Sequence, residues 1–159
     1  YIPIVIPELV FAIALLIFFS SIHVSMSMMT LIIAHVTFSM PFVVITVRAR
    51  LAGFDKSIEE AARDLGANEL RTFLRVTLPM ISPGVISGGM LALTMSLDDV
   101  VVSFFTAGPE SQTLPLKILG MVRKGVSPDV NALSTLMILG TIVILLTATM
   151  IQGKLEKKL

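Results

Sequence analysis

Residues 57–79 read SIEEAARDLGANELRTFLRVTLP, a polar stretch with helix-capping signals set between runs apolar enough to cross a bilayer. The apolar runs cover about Ile4 to Ser20, Thr30 to Val47, Ile81 to Thr106 and Val130 to Ile151, and a helix needs roughly 20 apolar residues to cross the hydrocarbon core. The chain is 55% hydrophobic over 159 residues with a mean hydropathy of +0.92, a balance that a soluble domain of this size rarely has. The runs are continuous and lack the two-residue alternation of barrel strands. They predict an all-α membrane protein, since a helix in lipid satisfies its own backbone donors and acceptors. Residues 1–159 read as a single transmembrane domain with no internal repeat.

Inside the 57–79 stretch the punctuation is local. Ser57 with Glu60 three positions on predicts a capping box, and Gly66 stands where a left-handed residue would close a helix of about two turns. Asn68 predicts the cap of a second short helix running to Pro79. Ile58, Ala62 and Leu65 share one face of the first helix with Ala61 beside them, while Glu59, Arg63 and Asp64 turn away. A short helix with small apolar residues suits insertion into a partner's groove. Periodicity alone allows equally an amphipathic helix lying on the bilayer or on its own bundle.

Charge distribution orients the chain. Arg48, Arg50, Lys56, Arg63, Arg71 and Arg75 lie between residues 48 and 80, and Lys154, Lys157 and Lys158 lie in the tail; the 107–129 segment carries Lys117, Arg123 and Lys124. Nine basic residues against three place the 48–80 loop and the C-terminus in the cytoplasm and residues 107–129 outside. The net charge of +1 argues against a nucleic-acid surface. Cysteine is absent, which excludes a disulfide framework and a thiolate metal site, and no metal-ligand cluster of other residues stands out. Tyr1 is preceded by neither Met nor a leader pattern, so the expectation is a longer chain lacking its first part here. Ser127-Pro128 predicts the start of the last helix, Pro41 a kink in the second, and TLPLKILGMVRKG an outer segment lying along the membrane surface.

The third run contains TMSLDDVVVSFF, residues 94–105. An aspartate at the centre of a membrane helix costs roughly 2.5–3.5 kcal/mol, against about 0.3–0.6 returned by each strongly apolar residue, so Asp98 and Asp99 need neighbours other than lipid. At 3.6 residues per turn Gly89, Ala92, Ser96, Asp99, Ser103 and Thr106 form one stripe, with Asp98 about 100° round beside Leu91, Thr94 and Phe105. One reading makes Ser96-x-x-Asp99 a capping box that restarts a broken helix. Another makes Asp99, with Asp98, Ser96 and Ser103, the lining of a pathway for a cation. An aspartyl protease is disfavoured, because adjacent carboxylates on a helix diverge. Gly84 and Gly88 read as helix packing. Glu8 reads as a helix-start carboxylate and His35 as a hydrogen-bonded packing residue. The glycine spacing of GMVRKGVS, 120–127, has Val126 where a phosphate loop needs lysine, so the chain is not expected to bind ATP.

EAARDLG, nine residues and VTLP resemble the EAA-loop signature of ABC-importer permeases, with Val76 in place of isoleucine. SLDDVVVSFF, LPLKI, GVSPDVNAL and HVTFSMPFVVITVRARLAGFD resemble the spermidine/putrescine type within that family. The resemblance covers nearly the whole chain. It implies an ABC type I importer permease-like helical bundle, of which this chain would supply the last four of about six transmembrane helices. It implies also that Glu60, Ala61, Ala62 and Gly66, with Leu78 and Pro79 completing the signature, form a cytoplasmic coupling helix and loop docking a separate ATP-binding cassette subunit that holds ATP and Mg. A second, different permease chain and an extracytoplasmic substrate-binding protein would complete the assembly in a bacterial inner membrane. The expected function is polyamine import without catalysis by this chain. A permease for another small solute and a non-conducting membrane scaffold are the alternatives.

Overall fold

The computed structural model describes residues 2–53 and 55–156. Tyr1, and Lys157 and Lys158 of the tail, lie outside the described residues, as does Phe54. Among the described residues every regular element is helical. A single turn, α1 (Ile2–Val5), precedes α2 (Glu8–Ser21), α3 (Met28–Leu51) and α4 (Ser57–Asp64). Then α5 (Glu69–Thr72) runs through a π-helical segment (Phe73–Thr77) into α6 (Leu78–Asp98), followed by α7 (Val101–Thr106), α8 (Leu114–Val122) and α9 (Pro128–Glu156).

Three stretches have the length and apolar character to cross a membrane: Met28–Leu51, the continuous Glu69–Asp98, and Pro128–Met150. The first expected span is shorter. At 14 residues, α2 extends only about 21 Å, because Pro7 has extended backbone (φ −53°, ψ 132°) and separates it from α1. Pro79 does not end a helix as the sequence suggested. The N–H of Leu78 bonds to the carbonyl of Phe73, five residues back, and this widened turn accommodates the proline ring that would otherwise strike the carbonyl four residues before it. Pro41 is likewise buried inside an uninterrupted α3.

The most extensive helix pair is α3 with α6, and two glycines set how closely they approach. A Cβ on Gly84 would lie 2.9 Å from Cβ of Arg50, and one on Gly88 would lie 3.1 Å from Cγ1 and 3.2 Å from Cα of Val43. The pair therefore acts as the packing motif read from sequence. On the other side of α3, Phe11 and Ala12 of α2, Ala34 of α3 and Val102 of α7 form a buried cluster, with Phe38, Val101 and Phe105 packed against it. Away from the 57–79 loop, the fully buried Thr30 donates to the carbonyl of Thr106 (2.8 Å). Beside it, a Cβ on Gly108 would stand 2.2 Å from the carbonyl oxygen of Met26. These contacts hold the α2–α3 turn against the end of α7. In contrast, α9 leaves Leu136, Leu139, Val143 and Leu146 exposed, as expected of a face in contact with lipid or another subunit.

Candidate functional site

The third apolar run is a broken helix. α6 ends at Asp98; Asp99 takes extended backbone (φ −64°, ψ 130°), and α7 begins at Val101. A break frees backbone donors at the start of the next helix, and each one buried without a partner is costly. Asp99 supplies the acceptors: Oδ1 takes the N–H of Val102 (3.1 Å), and Oδ2 takes the N–H and the hydroxyl of Ser103 (2.7 and 2.8 Å). The capping reading holds for Asp99, but the Ser96-x-x-Asp99 box does not form. Ser96 lies on the preceding helix, and its Oγ is 2.7 Å from Nδ1 of His35.

His35 draws the stripe together. Its Nε2 lies 3.3 Å from Oδ2 of Asp99 and 3.1 Å from Oγ of Ser103, while Nδ1 engages Ser96. One α3 side chain thus binds both halves of the broken helix. Asp99 and Ser103 are buried and Ser96 is half-buried, so three of the four residues read as pathway lining build the break. Asp98 is exposed. Glu8, also exposed at the start of α2, lies close to both aspartates. Sequence reasoning placed His35 as a hydrogen-bonded packing residue, and it is one. Its partners 61 and 68 positions away, and the approach of Glu8 to the aspartates, had no local signal. A pocket of about 610 Å³ opens beside His35 and Ser96, lined mostly by apolar residues including Leu31, Leu93 and Met137, with Ser39 and Thr113 among them.

At the opposite end, α4 presents the 57–79 signature. Its start differs from the expected capping box: Ser57 is already helical, and its N–H donates to Oδ1 of Asp55 (2.9 Å). The Ser57 bond holds the exposed Asp55 carboxyl below the usual carboxylate range. Asp55, two residues ahead, thus takes the Ser57 N–H that a capping box would give to the Glu60 carboxylate, and the N–H of Glu60 bonds to the carbonyl of Lys56 instead of the Ser57 hydroxyl. The end of α4 is as expected. Gly66 has φ +87°, its N–H bonds to Arg63, and the N–H of Ala67 bonds to Ala62 (2.8 and 3.1 Å), the pair that closes a helix through a left-handed glycine. Asn68 caps α5 by accepting from the N–H of Arg71 (2.9 Å).

The faces of α4 require one further correction. Glu59, expected to point away, turns inward, and its Oε1 accepts from the Thr77 hydroxyl at the end of the π segment (2.5 Å). Glu60 and Ala61 are exposed and Ala62 half-buried. Leu65 is 90% exposed, and Ile58, Leu70, Phe73 and Leu74 are also open. Of the signature's last residues, Leu78 is half-buried and Pro79 exposed.

Comparison with known proteins agrees with this architecture. The chain is 45% identical over 145 residues to the spermidine/putrescine transport system permease protein PotC of Escherichia coli, covering 91% of this chain and 55% of that protein. It is 44% identical over 146 residues to the putrescine transport system permease protein PotI of the same organism, covering 88% and 52%. The Haemophilus influenzae PotC is 43% identical over 148 residues, covering 93% and 58%. The chain thus spans about half the length of the curated relatives it matches. Among solved structures, the MetNI methionine ABC transporter in an inward-facing form superposes with a TM-score of 0.75 at 18% identity, covering 94% of this chain and 69% of that one, which shows a shared importer-permease fold. Residues 1–159 match the family described as binding-protein-dependent transport system inner membrane component. The chain, with its membrane-length helices, belongs to that family of transport components.

Proposed function

We propose that this chain is the polyamine-conducting permease subunit of an ATP-driven importer. The observation that carries the reading is the 45% identity to a spermidine/putrescine permease over 91% of the chain. The acidic surroundings of the helix break support the substrate class. Asp98 is exposed beside a carboxylate already committed to the α7 backbone, and Glu8 stands next to both. Carboxylates kept at membrane depth favour an oligoamine cation and disfavour an anion. In this reading Asp98 and Glu8 face the cation, whereas Asp99, Ser96 and Ser103 fix the break that presents them.

The 57–79 loop supports the energy source. Its short, closed helix with exposed Glu60, Ala61 and Leu65 fits insertion into a groove of an ATP-binding cassette subunit, which binds ATP and Mg and performs the hydrolysis. Gly66 closes that helix, and Leu78 and Pro79 begin the membrane helix that receives the motion. A second permease chain completes the pathway, and an extracytoplasmic binding protein delivers substrate. The protein would then sit in the bacterial inner membrane, with residues 48–80 and the C-terminus cytoplasmic and residues 107–129 outside.

The test is uptake by the complete transporter in proteoliposomes with labelled spermidine and unlabelled putrescine as competitor. ATP-dependent uptake is expected, with Asp98→Asn and Glu8→Gln raising KM while leaving the amount of assembled protein unchanged. An assembled, ATP-hydrolysing transporter that carries neither polyamine would overturn the substrate assignment.

A further inference from the structure

We infer that Glu59 is a positioning residue that ties the docking helix to the membrane helix, so that movement of α4 drives α6 instead of being lost at the Gly66 turn. The inference rests on the docking role proposed for α4. It starts from a mechanical problem. Residues 52–56 join α4 to α3 at its N-terminal end, whereas its path to α6 runs through Gly66, whose φ of +87° leads to the short connection before Asn68. A helix of eight residues, loaded through exposed Glu60, Ala61 and Leu65 and joined to α6 through that turn alone, would be free to swing relative to it.

The hydrogen bond from Thr77 to Glu59 removes that freedom. Glu59 lies near the N-terminal end of α4, far from the Gly66 pivot, and 76% of its side-chain surface is shielded, the exposed fraction being 24%. Thr77 is buried and is the last residue of the π segment. A π-helical turn replaces the usual i→i−4 bonds with longer ones and is the place in a continuous helix where its pitch most readily changes. The bond therefore reaches the membrane helix at its most compliant turn. Beyond that turn α6 runs 21 residues to Asp98, about 30 Å of helix, and ends at the break that carries Asp98 and Asp99. Arg63, 3.8 Å from the other carboxyl oxygen of Glu59, steadies the side chain from one turn further along α4. Glu59 precedes the Glu60-Ala61-Ala62 signature, so its role is separate from the surface that meets the ATPase.

The complete transporter, purified through this chain, gives three readouts: ATPase subunit retained, ATP hydrolysed, and polyamine carried per ATP. Glu59→Ala and Thr77→Val are expected to retain the ATPase subunit at the wild-type level while carriage per ATP falls about tenfold, the scale set by one part-buried hydrogen bond. Hydrogen exchange in α4 should rise in both. Glu59→Gln and Thr77→Ser keep an acceptor and a donor, and should recover most of the carriage. The double variant should be no worse than either single, since the two act through one bond. Unchanged carriage per ATP in both single variants, or losses that add in the double, would overturn the inference. Absence of the ATPase subunit from wild-type preparations would overturn the docking role itself, a result distinct from retention with unchanged carriage.

Discussion

The helix break and the 57–79 loop are both polar interruptions of an apolar chain, and they treat their polar and apolar groups in opposite ways. At the break, Asp99, His35, Ser96 and Ser103 satisfy one another and the start of α7 from within the fold. On the loop α4 is closed at both ends, yet Ile58 and Leu65 remain open. Internal satisfaction of a buried polar group indicates a structural role, because leaving it unpaired would be expensive. Apolar groups left open on a rigid, capped element indicate a surface that another molecule covers.

Substitutions at five positions separate these roles. Removing the carboxylate at the break should have the largest effect. Asp99→Ala strands His35, the Ser103 hydroxyl and two α7 N–H groups, and should cost about 3–5 kcal/mol, read as a lowered Tm of the detergent-solubilised transporter. His35→Phe keeps the volume but leaves Ser96 and Asp99 each short of a partner. A loss of about 1–3 kcal/mol is expected by the same measurement, and a Tm at the wild-type level would mean that α3 does not clamp the two halves.

On the loop the pattern should reverse. Leu65→Asp should change stability by less than about 0.5 kcal/mol, as exposed positions do, while co-purification of the ATPase subunit falls. Normal association and uptake in an inserted Glu60→Lys variant would remove the docking face altogether. The smallest effect is expected at Asp55. Asp55→Ala should speed hydrogen exchange at the start of α4, whereas Asp55→Asn should nearly preserve it. The Ser57 bond depresses the folded-state pKa of Asp55. Its stabilisation is therefore present above the unfolded-state value and lost as pH falls through the folded one. Exchange at Ser57 should accelerate in acid, after correction for intrinsic rates, in the wild type and not in Asp55→Ala.

How far the sequence could be read depended on the range of each interaction. Gly66 and Asn68 were legible because a left-handed closure and an N-cap involve residues within five positions. Gly84 and Gly88 were legible as packing, but not their partners Arg50 and Val43, which belong to another helix. Ser57 was misread as the cap because Asp55, just outside the expected motif, takes the Ser57 N–H that the box assigns to Glu60. Pro79 was misread as a stop because a π turn can absorb a proline that an α turn cannot. Glu59 was misread as solvent-facing because helical periodicity ranks faces by polarity and does not register a buried hydroxyl 18 residues away.

By itself, the sequence determined that this is a helical membrane chain with a capped polar loop, and that two adjacent aspartates needed neighbours other than lipid. Hydropathy, capping and the cost of burying charge are local properties, and each is written in consecutive residues. Only the tertiary structure decided that Asp99 is held by His35 and α7 while Asp98 stays exposed with Glu8 nearby, and that Glu59 ties the loop to the membrane helix. Those pairings depend on which helix faces lie against each other, which is set by packing between helices distant in sequence and not by the residues of any one helix.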